Sequence, residues 1–161
     1  MKTIFSGLLV IFSTGTAGAT VNQPGKYTID SDRQEILPDG NIRATGHVHV
    51  VNGDMIIDAD EAVYHRRNVN LPYITVKGMP VKYSGVASNG KLFSGVSEEA
   101  RYTINTGEVV LTGNACVRME RNRLFADTIR YNVNSGIIVA VPRPGNRVKS
   151  IIAGDTFSRK E

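Results

Sequence analysis

The sequence contains no tryptophan, a single cysteine and few aromatic residues, which make up 7% of its 161 residues. A lone cysteine, Cys116, excludes an intrachain disulfide. A nucleophilic thiol needs an activating base nearby, and the surrounding sequence suggests none, so we expect Cys116 to be tucked into the structure. These absences exclude disulfide-stapled folds and argue against cysteine catalysis.

Sustained helical patterns are also absent. No stretch of about ten residues keeps apolar side chains at the spacing of an amphipathic helix. The sequence has no ATP-binding loop, no Ser/His/Asp arrangement and no distinctive carboxylate pair. We therefore predict an all-β protein that is not an enzyme.

A compact apolar run occurs only at the N-terminus. Lys2 precedes residues 4–12 (IFSGLLVIF), and small residues then lead to Ala17-Gly18-Ala19. This order is typical of a secretory signal, whereas a membrane span needs about 20 apolar residues. We predict a signal peptide at residues 1–19, cleaved after Ala19, and a single exported domain at residues 20–161.

The chain does contain alternation with the period of a β-strand. Apolar and polar side chains alternate along residues 27–32, 99–104, 115–120 and 128–133. Such side chains point to opposite faces of a strand. Turn sequences such as Asn52-Gly53-Asp54 separate the runs. The pattern predicts an antiparallel all-β meander.

An internal repeat runs through the predicted domain. Thr45-Gly46 is followed by Asp60, and Thr112-Gly113 is followed by Asp127, with 14 positions from glycine to aspartate in both copies. We interpret the unit as strands that end at Thr-Gly and at Ala-Asp. Such regularity disfavours a catalytic site. The acidic residues that recur in the repeat are predicted to be structural residues beside turns: Asp32, Asp60 and Asp127.

A series of short motifs covers nearly all of the exported domain in a fixed order. They are residues 29–32 (IDSD), Thr45-Gly46 with Val48 and Val50, Ala59-Asp60, Gly78 with Pro80, residues 89–91 (NGK), residues 110–115 (VLTGNA) and residues 127–131 (DTIRY). In these motifs the chain resembles the OstA-like family of periplasmic lipopolysaccharide-transport proteins.

The resemblance implies a fold, a ligand and partners. The implied fold is an open, V-shaped antiparallel β-jelly roll built from repeated strand pairs, with an apolar groove that shields lipid A acyl chains and no cofactor. Open strand edges suit head-to-tail self-association. The implied partners are lipopolysaccharide, an LptC-like inner-membrane-anchored jelly roll at the N-terminal edge, and an LptD-like outer-membrane translocon at the C-terminal edge.

The predicted groove lining consists of apolar residues from the strand runs. Each of them also fits plain core packing, which alternation alone does not separate from lipid contact. Five of them are favoured for lipid contact, because tyrosine combines apolar area with a polar tip at a wet lip: Tyr27, Ile29, Tyr83, Tyr102 and Ile104. The predicted lipid-binding residues are Tyr27, Ile29, Val48, Val50, Ile57, Val81, Tyr83, Tyr102, Ile104, Val117, Ile129 and Tyr131.

Positive charge is concentrated in the second half of the chain. From residue 101 onward there are ten Lys and Arg residues against five Asp and Glu, which suggests an anionic partner. A nucleic acid is disfavoured by the export signal and by the lack of aromatic residues among the arginines. The basic residues of this half could bind lipid phosphates or could simply form a solvated outer face, and we favour the solvated face. The residues concerned are Arg118, Arg121, Arg123, Arg143, Arg147 and Lys149.

Two histidines suggest an alternative function. His47 and His49 are two residues apart, so one strand would present both imidazoles on one face, as in a cupin-like metal-binding β-barrel enzyme. Both fall on the polar face opposite Val48 and Val50, and no glutamate follows at ligand spacing. We therefore expect no metal site there.

Overall fold

The structure is a computed structural model that describes residues 27–66, 70–87 and 89–154. The predicted signal peptide at residues 1–19 lies outside these ranges. Within them, no helix is long and apolar enough to span a membrane. The strands are β1 (Tyr27–Asp30), β2 (Arg33–Ile36), β3 (Ile42–Asn52), β4 (Met55–His65), β5 (Tyr73–Val86), β6 (Leu92–Thr103), β7 (Glu108–Met119), β8 (Asn122–Asn132), β9 (Ile138–Val141) and β10 (Lys149–Ile151).

The strands form one antiparallel sheet in which β3 to β8 follow each other in chain order. Tight turns join these long strands, for example at Gly53 between β3 and β4, where a φ of 57° favours glycine. At one edge, β1 and β2 pair with the two halves of β3. At the other edge, β10 and β9 pair with the two halves of β8. The predicted all-β meander is confirmed.

Every long strand bends at one place, where its register with its neighbour shifts. Such bulges kink a strand and increase its twist. The irregular positions follow one another across the sheet, and we call them the bend row. The bend row consists of Gly46 and His47 in β3, Asp60 in β4, residues 78–80 in β5, Glu98 in β6, Gly113 and Asn114 in β7, and Asp127 in β8.

The prediction that strands end at Thr-Gly and at Ala-Asp is wrong. Gly46 and His47 have φ angles of 75° and 44°, so two consecutive left-handed residues bulge out of β3. Pairing with β4 resumes at Val48. The strand is therefore bent without being interrupted, and Asp60 lies within β4 opposite the bulge instead of beside a turn.

The bend row folds the sheet into two layers that enclose the core. The upper layer contains β1, β10 and residues 48–52, 55–59, 81–86, 92–97, 115–119 and 122–126. The lower layer contains β2, β9 and residues 42–45, 61–65, 73–77, 99–103, 108–112 and 128–132. Val48 and Val81 of the upper layer and Ile129 of the lower layer are fully buried. This folded, open sheet confirms the predicted jelly roll.

Candidate lipid-binding site

The interior is tightly closed at the bend row and looser at the opposite side. Val48 and Val81, close to the bends, are at most 1% exposed. Tyr27 and Tyr102, at the far ends of their strand segments, are only partly buried. We call this far side, where the two layers end, the mouth.

Two aromatic contacts join the layers at the mouth. The ring centroids of Tyr27 in the upper layer and Tyr102 in the lower layer are 6.2 Å apart. Those of Phe93 in the upper layer and Tyr131 in the lower layer are 5.7 Å apart. The pKa of Tyr27 is raised well above its ordinary value, mainly by burial and to a smaller extent by a hydrogen bond with Tyr102. These pairs hold the mouth shut around a narrow interior.

The space behind these pairs is an apolar cavity of about 40 Å³. Side chains from both layers line it, and nearly all of them are aliphatic or aromatic. The lining residues are Tyr27, Val50, Asn52, Met55, Ile57, Ile74, Val76, Tyr83, Phe93, Ala100, Arg101, Tyr102, Val109, Leu111, Val117, Met119, Tyr131 and Ile138.

The twelve residues predicted from the sequence all lie on the inner side of the roll. Seven of them line the cavity: Tyr27, Val50, Ile57, Tyr83, Tyr102, Val117 and Tyr131. Val48, Val81 and Ile129 are buried in the core, and Ile29 and Ile104 pack against it. Contact with lipid stays a prediction for all twelve.

Tyr83 was predicted to lie at a wet lip, but it lies deep in the upper layer. Its side chain is 8% exposed, and its hydroxyl lies 2.8 Å from the Cys116 carbonyl oxygen, to which it donates. A side chain at Gly95 would overlap both this carbonyl and the Tyr83 ring. Glycine is therefore required at position 95. The buried position of Tyr83 also raises the pKa of its hydroxyl well above the ordinary value.

The sequence reasoning missed eleven of the eighteen lining residues, some of them because the alternation in their strand changes phase at the bend row. In β5, Ile74 and Val76 point inward before the bend, but Val81 and Tyr83 point inward after it. The inward positions thus change from even to odd numbers. The one available signal was Gly78 with Pro80, since glycine and proline inside a strand mark a bulge.

His47 and His49 do not form the metal-binding pair that the alternative, cupin-like function would need. His47 Nδ1 lies 2.7 Å from an Asp32 carboxylate oxygen, and His49 Nδ1 lies 2.7 Å from an Asp58 oxygen. The left-handed backbone at His47 separates the two imidazoles onto different partners. Across the described ranges, no cluster of three His, Cys, Asp or Glu residues is arranged to hold a metal ion.

The six basic residues singled out in the second half of the chain do not line the cavity, whereas Arg101 does. The Arg143 guanidinium binds the Asp127 carboxylate at the bend row. Arg118, Arg121, Arg123, Arg147 and Lys149 are exposed. Burial raises the pKa of the Cys116 thiol, although the nearby Arg123 and Arg118 charges oppose this shift.

Together these features define a class of protein: a folded antiparallel sheet whose two layers hold an apolar interior with a mouth on one side. The model of the LptA and LptD N-terminal-domain family of lipopolysaccharide transport proteins matches residues 28–137. The chain therefore belongs to this family, which confirms the resemblance noted in its motifs.

Individual relatives agree with this assignment. The chain is 31% identical over 135 residues to the lipopolysaccharide export system protein LptA of Escherichia coli K12. The aligned residues cover 82% of this chain and 73% of that protein. The figures for LptA of Shigella flexneri are the same. The crystal structure of LptH from Pseudomonas aeruginosa, the LptA-homologous periplasmic component of its lipopolysaccharide transport device, superimposes with a TM-score of 0.71 at 20% identity and covers 80% of this chain and 96% of LptH.

Proposed function

We propose that this protein binds lipopolysaccharide in the periplasm, shields its lipid A acyl chains between the two layers, and passes it toward the outer membrane as one segment of a bridge. The observation that carries the proposal is the apolar cavity, which both layers line and which ends at the mouth. Family membership supports the choice of ligand.

Lipid transfer through water requires such a shield. Each exposed methylene costs about 0.8 kcal/mol, so one acyl chain of a dozen carbons costs on the order of 10 kcal/mol. A continuous apolar surface removes most of this cost without any chemical step. The protein therefore acts without catalysis or cofactor, and directional movement depends on an energy source elsewhere in the pathway.

Binding requires the mouth to open. A cavity of about 40 Å³ is much smaller than the roughly 150 Å³ that holds one benzene molecule. Acyl chains therefore enter only if the layers separate, which breaks the Tyr27–Tyr102 and Phe93–Tyr131 contacts. The bend row acts as the closed side of this opening, because Val48 and Val81 beside it are fully buried and its strands are continuous.

Head-to-tail assembly is supported by the charges of the two sheet edges. The N-terminal edge, residues 27–40, contains four acidic residues and one arginine, whereas the C-terminal edge, residues 138–154, contains three basic residues and no acidic one. Within residues 27–154 as described, β1 and β2 pair only with β3, and β9 and β10 pair only with β8, so each edge can accept an added strand. An LptC-like partner would pair with the acidic edge and an LptD-like partner with the basic edge.

The route to the periplasm follows from the N-terminal sequence. Residues 1–19 have the order of a secretory signal, and we infer that they direct export and are removed after Ala19. The protein that binds lipid would then be residues 20–161.

Site-specific photo-crosslinking to lipopolysaccharide tests the proposal. A photo-reactive amino acid replaces Tyr102, which lines the cavity, and in a matched control it replaces Thr112, which is exposed on the outer face. We expect crosslinks at position 102 and few at position 112. Equal labelling at both positions would mean surface adhesion, and no labelling of either folded variant would reject the carrier function.

A further inference from the structure

A row of polar side chains crosses the outer face of the upper layer. Ser84 of β5 is the register partner of Ser94 in β6, Ser94 is the partner of Arg118 in β7, and Arg118 is the partner of Arg123 in β8. All four residues are exposed. Because neighbouring strands are roughly 5 Å apart, two hydroxyls and two guanidiniums form one continuous line, which we call the outer row.

The two arginines of the outer row are not neutralised by carboxylates. Among the residues that the structure describes, neither Arg118 nor Arg123 forms an ion pair. Like charges directly opposite each other in a sheet are destabilising. Their placement as register partners therefore has a cost that a bound anion would remove.

The outer face of the lower layer provides a contrast. There the strands carry paired charges: Lys77 with Glu99 at 3.2 Å and Arg130 with Glu108 at 3.9 Å. Such pairing of opposite charges is what we expect of a face that only contacts solvent. The outer row has the same strands and the same side-chain direction, but neither arginine has a carboxylate as register partner. Glu120, which borders a second depression together with Arg118, is paired with Lys91 at 3.1 Å.

The outer row borders a surface depression of about 410 Å³. Val96, Cys116 and Phe125 contribute apolar surface to it, and Lys82 adds a further cation. Its one acidic group, Asp58, lies at the opposite end and is engaged by His49 at 2.7 Å. The depression thus has room and positive charge at the arginine end.

We propose that the outer row is a binding site for a phosphate group. Arginine forks match the geometry of phosphate oxygens, and serine hydroxyls supply further donors. Ser94 and Arg118 each lie one residue from Phe93 and Met119, which face the cavity, so the site borders the mouth. The phosphate is then a lipid head-group phosphate or a free phosphate compound. The first source rests on the proposed function, and the second does not.

Titration of the isotope-labelled mature protein with inorganic pyrophosphate, at constant ionic strength against chloride, tests the site by NMR. We expect saturable shifts of the Ser84, Ser94, Arg118 and Arg123 amides. The double variant Arg118→Gln/Arg123→Gln should bind about ten-fold more weakly, with an unfolding temperature no lower than that of the wild type because a like-charge pair is removed.

The matched control is Arg33→Gln/Arg130→Gln, which removes the same charge from the outer face of the lower layer. It should bind pyrophosphate like the wild type. Equal weakening in both double variants would mean general attraction to net charge and would overturn the proposal. Absence of saturable shifts in the wild type would overturn it as well.

Lipopolysaccharide and its enzymatically dephosphorylated form distinguish the two sources. If the head group supplies the phosphate, Arg118→Gln/Arg123→Gln weakens binding of the phosphorylated form only. If the variant loses pyrophosphate but binds both lipids normally, the site takes a free phosphate compound. Crosslinking at position 102 reports independently on the acyl-chain site, so failure of the phosphate site and failure of lipid binding are separate results.

Discussion

At the scale of single residues, two tyrosines show how differently a hydroxyl is treated inside the roll. The Tyr83 hydroxyl lies within hydrogen-bond distance of the carbonyl oxygens of Cys116 and Val96, at 2.8 Å and 3.2 Å. The Tyr131 hydroxyl is buried and has no hydrogen-bond partner among the described residues. One hydroxyl thus ties three strands together, while the other carries an uncompensated desolvation cost.

The two hydroxyls therefore predict opposite effects of the same substitution. Tyr83→Phe should lower the free energy of unfolding by about 1 kcal/mol, because it removes the hydrogen bond that the buried hydroxyl donates to the Cys116 carbonyl. Tyr131→Phe should be neutral or stabilising within about 0.5 kcal/mol. Urea unfolding of both variants measures the difference, and equal destabilisation would contradict this account of Tyr83.

His47 predicts a pH dependence of stability. A hydrogen bond and charge interaction with Asp32 raise the pKa of His47 above 6.5. A raised folded-state pKa stabilises the fold fully below the unfolded-state value and loses this contribution as the pH rises through the folded-state value. The wild type should therefore lose stability relative to His47→Asn between about pH 5.5 and about pH 8.5.

Asparagine is a suitable replacement because Asn114 occupies the equivalent left-handed position in the second repeat, with a φ of 48°, and donates to Glu98 at 2.6 Å. Urea unfolding at the two pH values, together with NMR titration of the imidazole, makes the measurement. A His47 pKa at or below 6.5 would refute the interaction.

At the scale of the strand, the bend row decides both the fold and what could be predicted from the sequence. The alternation at Val117 and Met119 correctly predicted an inward face because β7 keeps its phase through the bend. Ile74 and Val76 were missed because β5 changes phase. The Thr-Gly and Ala-Asp motifs were recognised, but the turn residues they contain are typical of strand ends and bulges alike.

Contacts between the layers were out of reach for a related reason. Tyr27 and Tyr102 meet only because the whole sheet folds over, and no local pattern records that two segments 75 positions apart face each other. The same holds for the Tyr83 hydroxyl, whose partners depend on the missing side chain at Gly95. Local periodicity predicts faces of strands, whereas the partners across the interior depend on long-range packing.

A glycine comparison tests the bend row. Gly113 and Gly145 have nearly the same φ, 80° and 83°, but the Glu98 side chain covers Gly113, whereas Gly145 faces open space. Gly145→Ala should cost about 1–2 kcal/mol from backbone strain alone. Gly113→Ala should cost at least about 1 kcal/mol more, because the new methyl group displaces Glu98. Equal losses in thermal or urea unfolding would show that the covering contact is unimportant.

At the scale of the whole molecule, the two ends of the sheet carry opposite charges. An acidic edge, residues 27–40, and a basic edge, residues 138–154, lie at opposite ends of the strand order. A contact between unlike ends of identical copies does not close on itself and generates filaments. The apolar interiors of successive copies would then be aligned in one direction.

Charge reversal at the basic edge tests this polarity. Arg147→Glu/Lys149→Glu should weaken self-association of the mature protein, because the reversed edge repels the acidic one. Lys77→Glu/Lys91→Glu makes the same net change away from both edges and should leave association unchanged. Sedimentation velocity at increasing concentration measures both, and added salt should weaken the wild-type association. Unaltered association of the edge variant would exclude this contact.

The central claim, that acyl chains lie between the layers, is tested most directly by NMR with methyl-labelled protein and lipopolysaccharide. Intermolecular nuclear Overhauser effects should connect acyl protons to the methyl groups of Val117 and Leu111, which line the cavity. They should be absent for Val139 and Val141, which are exposed on β9. Contacts to the exposed methyl groups without contacts to the interior ones would contradict the claim and place the lipid on the outer surface.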